Sequence, residues 1–96
     1  MNNKDGVCLD SMIVAVKDQV SANLDGEATI LHLKKGFYYG LNEVGTRIWE
    51  RIQEPRRVAE ICDFIAVEYG ISADRCREDL VALFRELLSE NLIQVK

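Results

Sequence analysis

The chain has 96 residues and a mass of 10.9 kDa, the size of one compact domain, which excludes a two-domain enzyme. Hydrophobic residues at 48% and charged residues at 29% are ordinary globular proportions, so disorder is excluded and a core can form without disulfide staples. A net charge of −4 argues against general affinity for nucleic acid or anionic membrane, both of which reward an excess of Lys and Arg.

The first residues, MNNKDGVCLD, carry no apolar signal segment, and the apolar run Met12 to Val16 is far short of the roughly 20 residues that span a bilayer. Cys8, Cys62 and Cys76 are odd in number and lack C-x-x-C spacing, so the chain reads as cytoplasmic with reduced thiols and no membrane span. Residues 1–96 are expected to form a single domain, with 1–10 disordered.

From Ser11 to Leu41 the sequence is rich in β-branched and aromatic residues and alternates with period 2, which predicts strand. Met12, Val14 and Val16 alternate with their neighbours, and Val20, Ala22 and Leu24 follow with polar residues between them. Asp25-Gly26 supplies positive φ at a tight hairpin, and Glu27 to Leu33 resumes the extended pattern. Lys34-Lys35-Gly36 is a second turn signal, after which Phe37-Tyr38-Tyr39-Gly40-Leu41 forms a short aromatic strand. That last strand lies at a sheet edge unless the N-terminal segment folds back beside it.

Asn42 caps a first helix of about ten residues that Pro55 forbids from continuing. Val58, Ile61, Cys62, Ile65 and Tyr69 mark a second helix that stops at Gly70. Ser72 caps a third, in which Cys76, Leu80, Leu83, Phe84, Leu87 and Leu88 recur to about Glu90. Leu92 to Val95 closes as an extended tail. The order predicts an α+β domain of winged helix-turn-helix-like type: a three-stranded antiparallel β-meander followed by three α-helices.

Raw material for catalysis is thin. His32 is the only histidine, sits mid-strand and has no nucleophile motif beside it, so it reads as structural. Cys62 and Cys76 fall on apolar helix sides, where cysteine acts as a small hydrophobe. The glycines are scattered and form no phosphate loop. No catalytic residue, metal or cofactor is expected. The nucleic-acid reading fails on charge: between Asp74 and Glu90 the third helix carries three positive and five negative side chains, which would meet phosphate with net repulsion.

Two surfaces remain. At about 100° per residue, Leu80, Leu83 and Leu87 cluster, and Phe84, Val81 and Leu88 widen the apolar arc of the third helix to about 160°, more than a half-buried helix needs. Val81, Phe84 and Leu88 then line a groove beside the sheet, or the width serves only to touch both sheet and helices. The strand Phe37 to Leu41 is aromatic and unprotected, and a peptide can add to such an edge as another strand; the same aromatics can also serve only as core.

The run Tyr39-Gly40-Leu41-Asn42-Glu43-Val44-Gly45-Thr46-Arg47-Ile48-Trp49, preceded by Phe37-Tyr38 and followed by Val58-Ala59-Glu60-Ile61, Glu68-Tyr69-Gly70-Ile71, Asp79-Leu80, Leu83-Phe84, Leu87 and Leu92-Ile93, resembles the PqqD-like family. These are RiPP recognition elements, small domains that bind leader peptides of ribosomally made, post-translationally modified peptides. The resemblance spans roughly Val20 to Ile93. It implies a leader paired with the third strand and lying against the third helix. The expected peptide-binding residues are Phe37, Tyr38, Tyr39, Gly40, Leu41, Val81, Phe84 and Leu88, with Arg77 or Arg85 pairing an acidic leader residue. Leu80, Leu83 and Leu87 match the family's core pattern.

Leu33-Lys34-Lys35-Gly36 and Gln53-Glu54-Pro55 depart from the segments usual in the cofactor pathway's proteins, and Tyr39-Gly40-Leu41-Asn42 with Ile48-Trp49 is more similar to the stand-alone component of lasso peptide pathways. The partners so implied are a precursor leader peptide and a leader peptidase, a separate cysteine protease, with the lasso cyclase as a further partner. The alternatives are a PqqD-type peptide chaperone for a radical SAM enzyme and, more remote, a winged-helix nucleic-acid binder.

Overall fold

The computed structural model of the chain describes residues 7–96. Its elements in chain order are β1 (Met12–Ala15), β2 (Gln19–Leu24), β3 (Glu27–His32), β4 (Phe37–Gly40), α1 (Glu43–Arg51), β5 (Arg56–Arg57), α2 (Val58–Tyr69), α3 (Ala73–Ser89) and β6 (Ile93–Val95). Strands β2, β3 and β4 form the expected antiparallel meander, and three helices follow.

The β2–β3 turn is made by Asp25 (φ 57°) and Gly26 (φ 87°), two consecutive positive-φ residues whose backbone twist matches that of the flanking strands. The Asn23 side-chain oxygen accepts the Gly26 N–H at 2.9 Å. At the β3–β4 turn the Gly36 N–H donates to the His32 carbonyl at 2.7 Å, and His32 Nδ1 accepts the Lys35 N–H at 3.2 Å. His32 is buried and its ring lies 5.4 Å from that of Phe37, so the lone histidine ties the turn to the strand.

The stretch Met12 to Leu24 is not one strand. It bends at Lys17-Asp18, and β1 leaves the meander to become the centre of a second sheet, antiparallel to β5 on one side and β6 on the other. Ile13 and Ala15 point into the core from it. The N-terminal segment therefore does not cover β4, which stays at an edge of the meander.

The expectation of disorder over residues 1–10 lies outside the described residues for 1–6 and fails beyond them. Val7 is buried in the core at 4% exposure, and Leu9 packs against the core while its carbonyl accepts the Ala59 N–H at 3.1 Å. Apolar side chains just before β1 find room beside the start of α2, and that burial orders them.

Helix α1 starts where the Asn42 side chain accepts the Gly45 N–H at 2.8 Å, with Glu43 in the first turn. Thr46 of this helix, itself buried, accepts the Ala28 N–H at 2.8 Å and so supplies β3 with a partner where β4 has ended. Helix α2 is capped by Glu60 accepting the Arg57 N–H at 3.1 Å and stops at Gly70; Ser72 caps α3 by accepting the Arg75 N–H at 3.2 Å. The core lies between the inner face of the meander (Ala28, Ile30), β1 and the three helices, with Phe84, Leu80, Ile61 and Ile65 at its centre.

Candidate functional site

The direction of each backbone group on β4 follows from two bonds. The Ala28 carbonyl accepts the Leu41 N–H at 2.8 Å, and the Leu33 N–H donates to Asp18 of the β2 side at 2.9 Å. Antiparallel ladders alternate, so Ala28, Ile30 and His32 present their polar groups to β4, while Glu27, Thr29, Leu31 and Leu33 present theirs to β2. Tyr39 opposite Ile30 and Phe37 opposite His32 are thus the hydrogen-bonded pairs. Tyr38 and Gly40 direct their N–H and C=O groups away from the sheet, along its open edge.

Side chains divide the same way. Phe37 and Tyr39 share the inner face with Ile30 and His32 and are half-buried, whereas Tyr38 stands on the outer face at 72% exposure. The Tyr39 hydroxyl reaches α3 and donates to the Glu86 carboxylate. Burial, that hydrogen bond and the nearby charges of Glu86 and Glu90 push its pKa up to about 12.

Beside this edge lies a cavity of about 600 Å³. Tyr39, Gly40 and Leu41 form one wall, the start of α1 (Asn42, Val44, Gly45, Ile48) the next, Ile65, Tyr69 and Ile71 the far side, and Cys76, Asp79, Leu80 and Leu83 of α3 the last. A Cβ on Gly45 would stand 3.2 Å from Leu41 Cδ2 and 3.3 Å from the capping Asn42 oxygen, so glycine there lets the strand end and the helix start close on each other. Asp79 is the one charged residue among those lining the cavity.

The residues expected on α3 are placed differently. Phe84, expected in the groove, is 0% exposed at the centre of the core. Its position explains this: it lies near the middle of the apolar arc, and the middle of an arc faces inward. Val81 and Leu88 are half-buried but do not line the cavity; at about 100° per residue they are at the opposite end of the arc from Leu83. Arg77 and Arg85 lie on the Val81 side, and Arg77 is ion-paired with Asp74 at 2.9 Å. Leu41 is buried at 6% exposure and contributes to the cavity wall rather than to the open edge.

Leu80 is a core residue, as expected, and its edge reaches the cavity wall; sequence reasoning missed that the half-buried Leu83 lines the cavity, and missed the wall built by Val44, Ile48, Tyr69 and Asp79. One signal was present: Asp79, Glu86 and Glu90 fall within about 60° of Leu83 on one side of α3, and Glu86 touches Tyr39.

The titratable side chains lining the cavity are Tyr39, Tyr69, Cys76 and Asp79. Burial raises the Cys76 thiol to about 12, helped by its contact with the Cys62 thiol, and Cys76 Sγ donates to the Cys62 carbonyl at 3.4 Å, so this sulfur is a packed hydrophobe and not a thiolate nucleophile. Among the described residues no group of three or more His, Cys, Asp or Glu side chains converges to hold a metal ion, and no helix is long and apolar enough to cross a membrane. What the site offers is a β4 edge that no strand among the described residues pairs, with an apolar hollow beside it.

Residues 27–93 match the family of coenzyme PQQ synthesis protein D (PqqD), well over half of the chain. The chain belongs to the PqqD family. Among solved structures, this PqqD-family chain is similar to TbiB1 in complex with the TbiA(beta) leader peptide, at 37% sequence identity and a TM-score of 0.80, over 84% of this chain and 94% of that one. No curated protein matches it at a significant level. The matched PqqD segment begins at the first residue of β3 and ends at the first of β6, so it holds β4, the cavity and all three helices.

Proposed function

We propose that this protein is a non-catalytic adaptor that binds the leader peptide of a ribosomally made precursor and presents it to the enzymes that mature it. The reading rests on one observation above all: the unpaired edge of β4 at Tyr38 and Gly40 opens beside an apolar cavity in a chain 37% identical to a protein solved with a leader peptide. A leader lying antiparallel to β4 gains main-chain hydrogen bonds from Tyr38 and Gly40. Every second side chain then turns toward the cavity, where aromatic or aliphatic groups meet Tyr39, Ile48, Tyr69 and Leu83. Tethering the precursor raises its effective concentration at a partner enzyme without any bond being made or broken by the adaptor.

The lasso reading is favoured for the pathway: the partners are a leader peptidase of cysteine-protease type and the lasso cyclase, in the cytoplasm. A PqqD-type chaperone for a radical SAM enzyme is the second reading, favoured by the family match itself. Titration calorimetry with the TbiA(beta) leader peptide, the ligand of the similar TbiB1, tests the adaptor role, with a one-to-one complex expected. Amide exchange should slow at Tyr38 and Gly40 on saturation; exchange that is unchanged there would remove strand addition. Leader removal by a lasso-pathway leader peptidase, with and without this protein, separates the lasso reading from the radical-enzyme one.

A further inference from the structure

The cavity is apolar inside, but its rim is acidic. Asp79 lines it, Glu86 holds the Tyr39 hydroxyl at its β4 side, and Glu90 acts electrostatically on the same hydroxyl one turn further along α3. Among the described residues no Lys or Arg lines the cavity. Of the three basic residues of α3, Arg77 and Arg85 are on the Val81 side, while Arg75 meets Asp79 from solvent at 3.7 Å in a pair exposed on both partners. An exposed pair of this kind is worth little, so a cation arriving from the groove exchanges with it at small cost.

A strand added to β4 passes over Tyr39 and removes water from the Glu86 carboxylate. Desolvating a carboxylate is unfavourable unless a positive charge or further donors replace the water. An acidic side chain in that position would meet like charge as well. We infer that the groove selects peptides that place a lysine or arginine against Asp79 and Glu86 beside aromatic or aliphatic anchors, and rejects those that place a carboxylate there. This rests on the peptide-binding reading above and reverses the expectation of an acidic leader residue paired with Arg77 or Arg85.

The test is selection of a random 15-residue phage-displayed peptide library on the immobilised protein and on an Asp79→Lys/Glu86→Lys variant. Both positions are exposed, so the variant should keep the wild-type circular dichroism. Wild type should enrich Lys and Arg at fixed spacing from apolar anchors, and the variant should enrich Asp and Glu at the same spacing. For one selected peptide, Lys→Gln should weaken binding about 2- to 5-fold on wild type and less on Glu86→Gln, with the difference shrinking at high salt. Peptides that bind with no excess of cations, or the same consensus on both proteins, overturn the charge preference while peptide binding stands. A selection that yields no peptide displaceable from β4 overturns both.

Discussion

The two tyrosines in the middle of β4 should respond to proline in opposite ways. Tyr38 has its N–H on the open edge, and Tyr39 has its N–H bonded across the ladder to Ile30. Tyr38→Pro therefore removes a donor that has no partner within the sheet, and its effect on folding should stay within about 0.5 kcal/mol, as for other exposed substitutions. Tyr39→Pro orphans the Ile30 carbonyl in the core face, which costs about 1–3 kcal/mol by itself and, in a domain of this size, lowers the melting temperature by about 4 to 24 °C. It also removes the hydroxyl that donates to Glu86.

Binding should invert that order. A leader strand loses one hydrogen bond on Tyr38→Pro, worth about 0.5–1.5 kcal/mol, or about a 2- to 13-fold rise in Kd. Tyr38→Ala is the control that removes the same exposed ring and keeps the N–H. Thermal melts by circular dichroism and titration calorimetry on the three variants read both quantities. If Tyr38→Pro unfolds the protein as much as Tyr39→Pro, then β4 has the opposite backbone phase, with the Tyr38 N–H inside the ladder. If Tyr38→Pro binds leader as tightly as Tyr38→Ala, no strand is being added.

The two ends of the α3 arc separate in the same assays: Leu83→Ala should weaken leader binding about 5- to 30-fold, from about 1–2 kcal/mol of lost apolar contact, while Val81→Ala leaves the Kd within about twofold. Equal losses at both positions would put the leader across the whole helix. Phe84→Ala should cost about 3–5 kcal/mol of stability in urea denaturation, because a fully buried ring leaves a cavity; a loss below about 1 kcal/mol would mean that the ring is not in the core. Tyr39 gives a pH signature. Its pKa is raised from 10 to about 12 in the folded chain, so the stability it adds is fully present below pH 10 and is lost as pH rises to about 12. Urea midpoints across that window should fall more steeply for wild type than for Tyr39→Phe.

Most of the fold is written in local punctuation. Asp25-Gly26, Gly36, Asn42, Gly70 and Ser72 each act within a few residues of where they stand, and each bounds an observed element. What could not be read is the path of Met12–Ala15. Its alternation is the same whether it extends the meander or leaves it, and its partners are β5, only two residues long, and β6 at the far end of the chain. Pairing over such separations leaves no mark in periodicity. The two-residue Arg56–Arg57 strand has no strand signature to find.

The site divides on the same principle. The open edge of β4 was legible because an aromatic strand closing a meander is an edge unless something returns to cover it, and nothing among the described residues does. The groove side of α3 was not. Helical arithmetic gives an arc of about 160° with Phe84 near its middle and Leu83 and Val81 at its two ends, and it fixes the burial of Phe84 without any tertiary information. It cannot say which end meets the strand, because the two ends are equally apolar and related by a rotation about the helix axis. The contact of Tyr39 with Glu86 decides that, and it joins residues from elements separated by α1 and α2. The charge follows the same choice. Arg77 and Arg85 share the Val81 end of the arc with Asp74 and Glu78, whereas Asp79, Glu86 and Glu90 share the Leu83 end with Arg75 alone, so turning the helix from the Val81 end to the Leu83 end takes the wall from charge balance to net negative. The acidic balance that set nucleic acid aside at the outset is thus partly gathered on the groove side of α3, where a bound peptide would meet it.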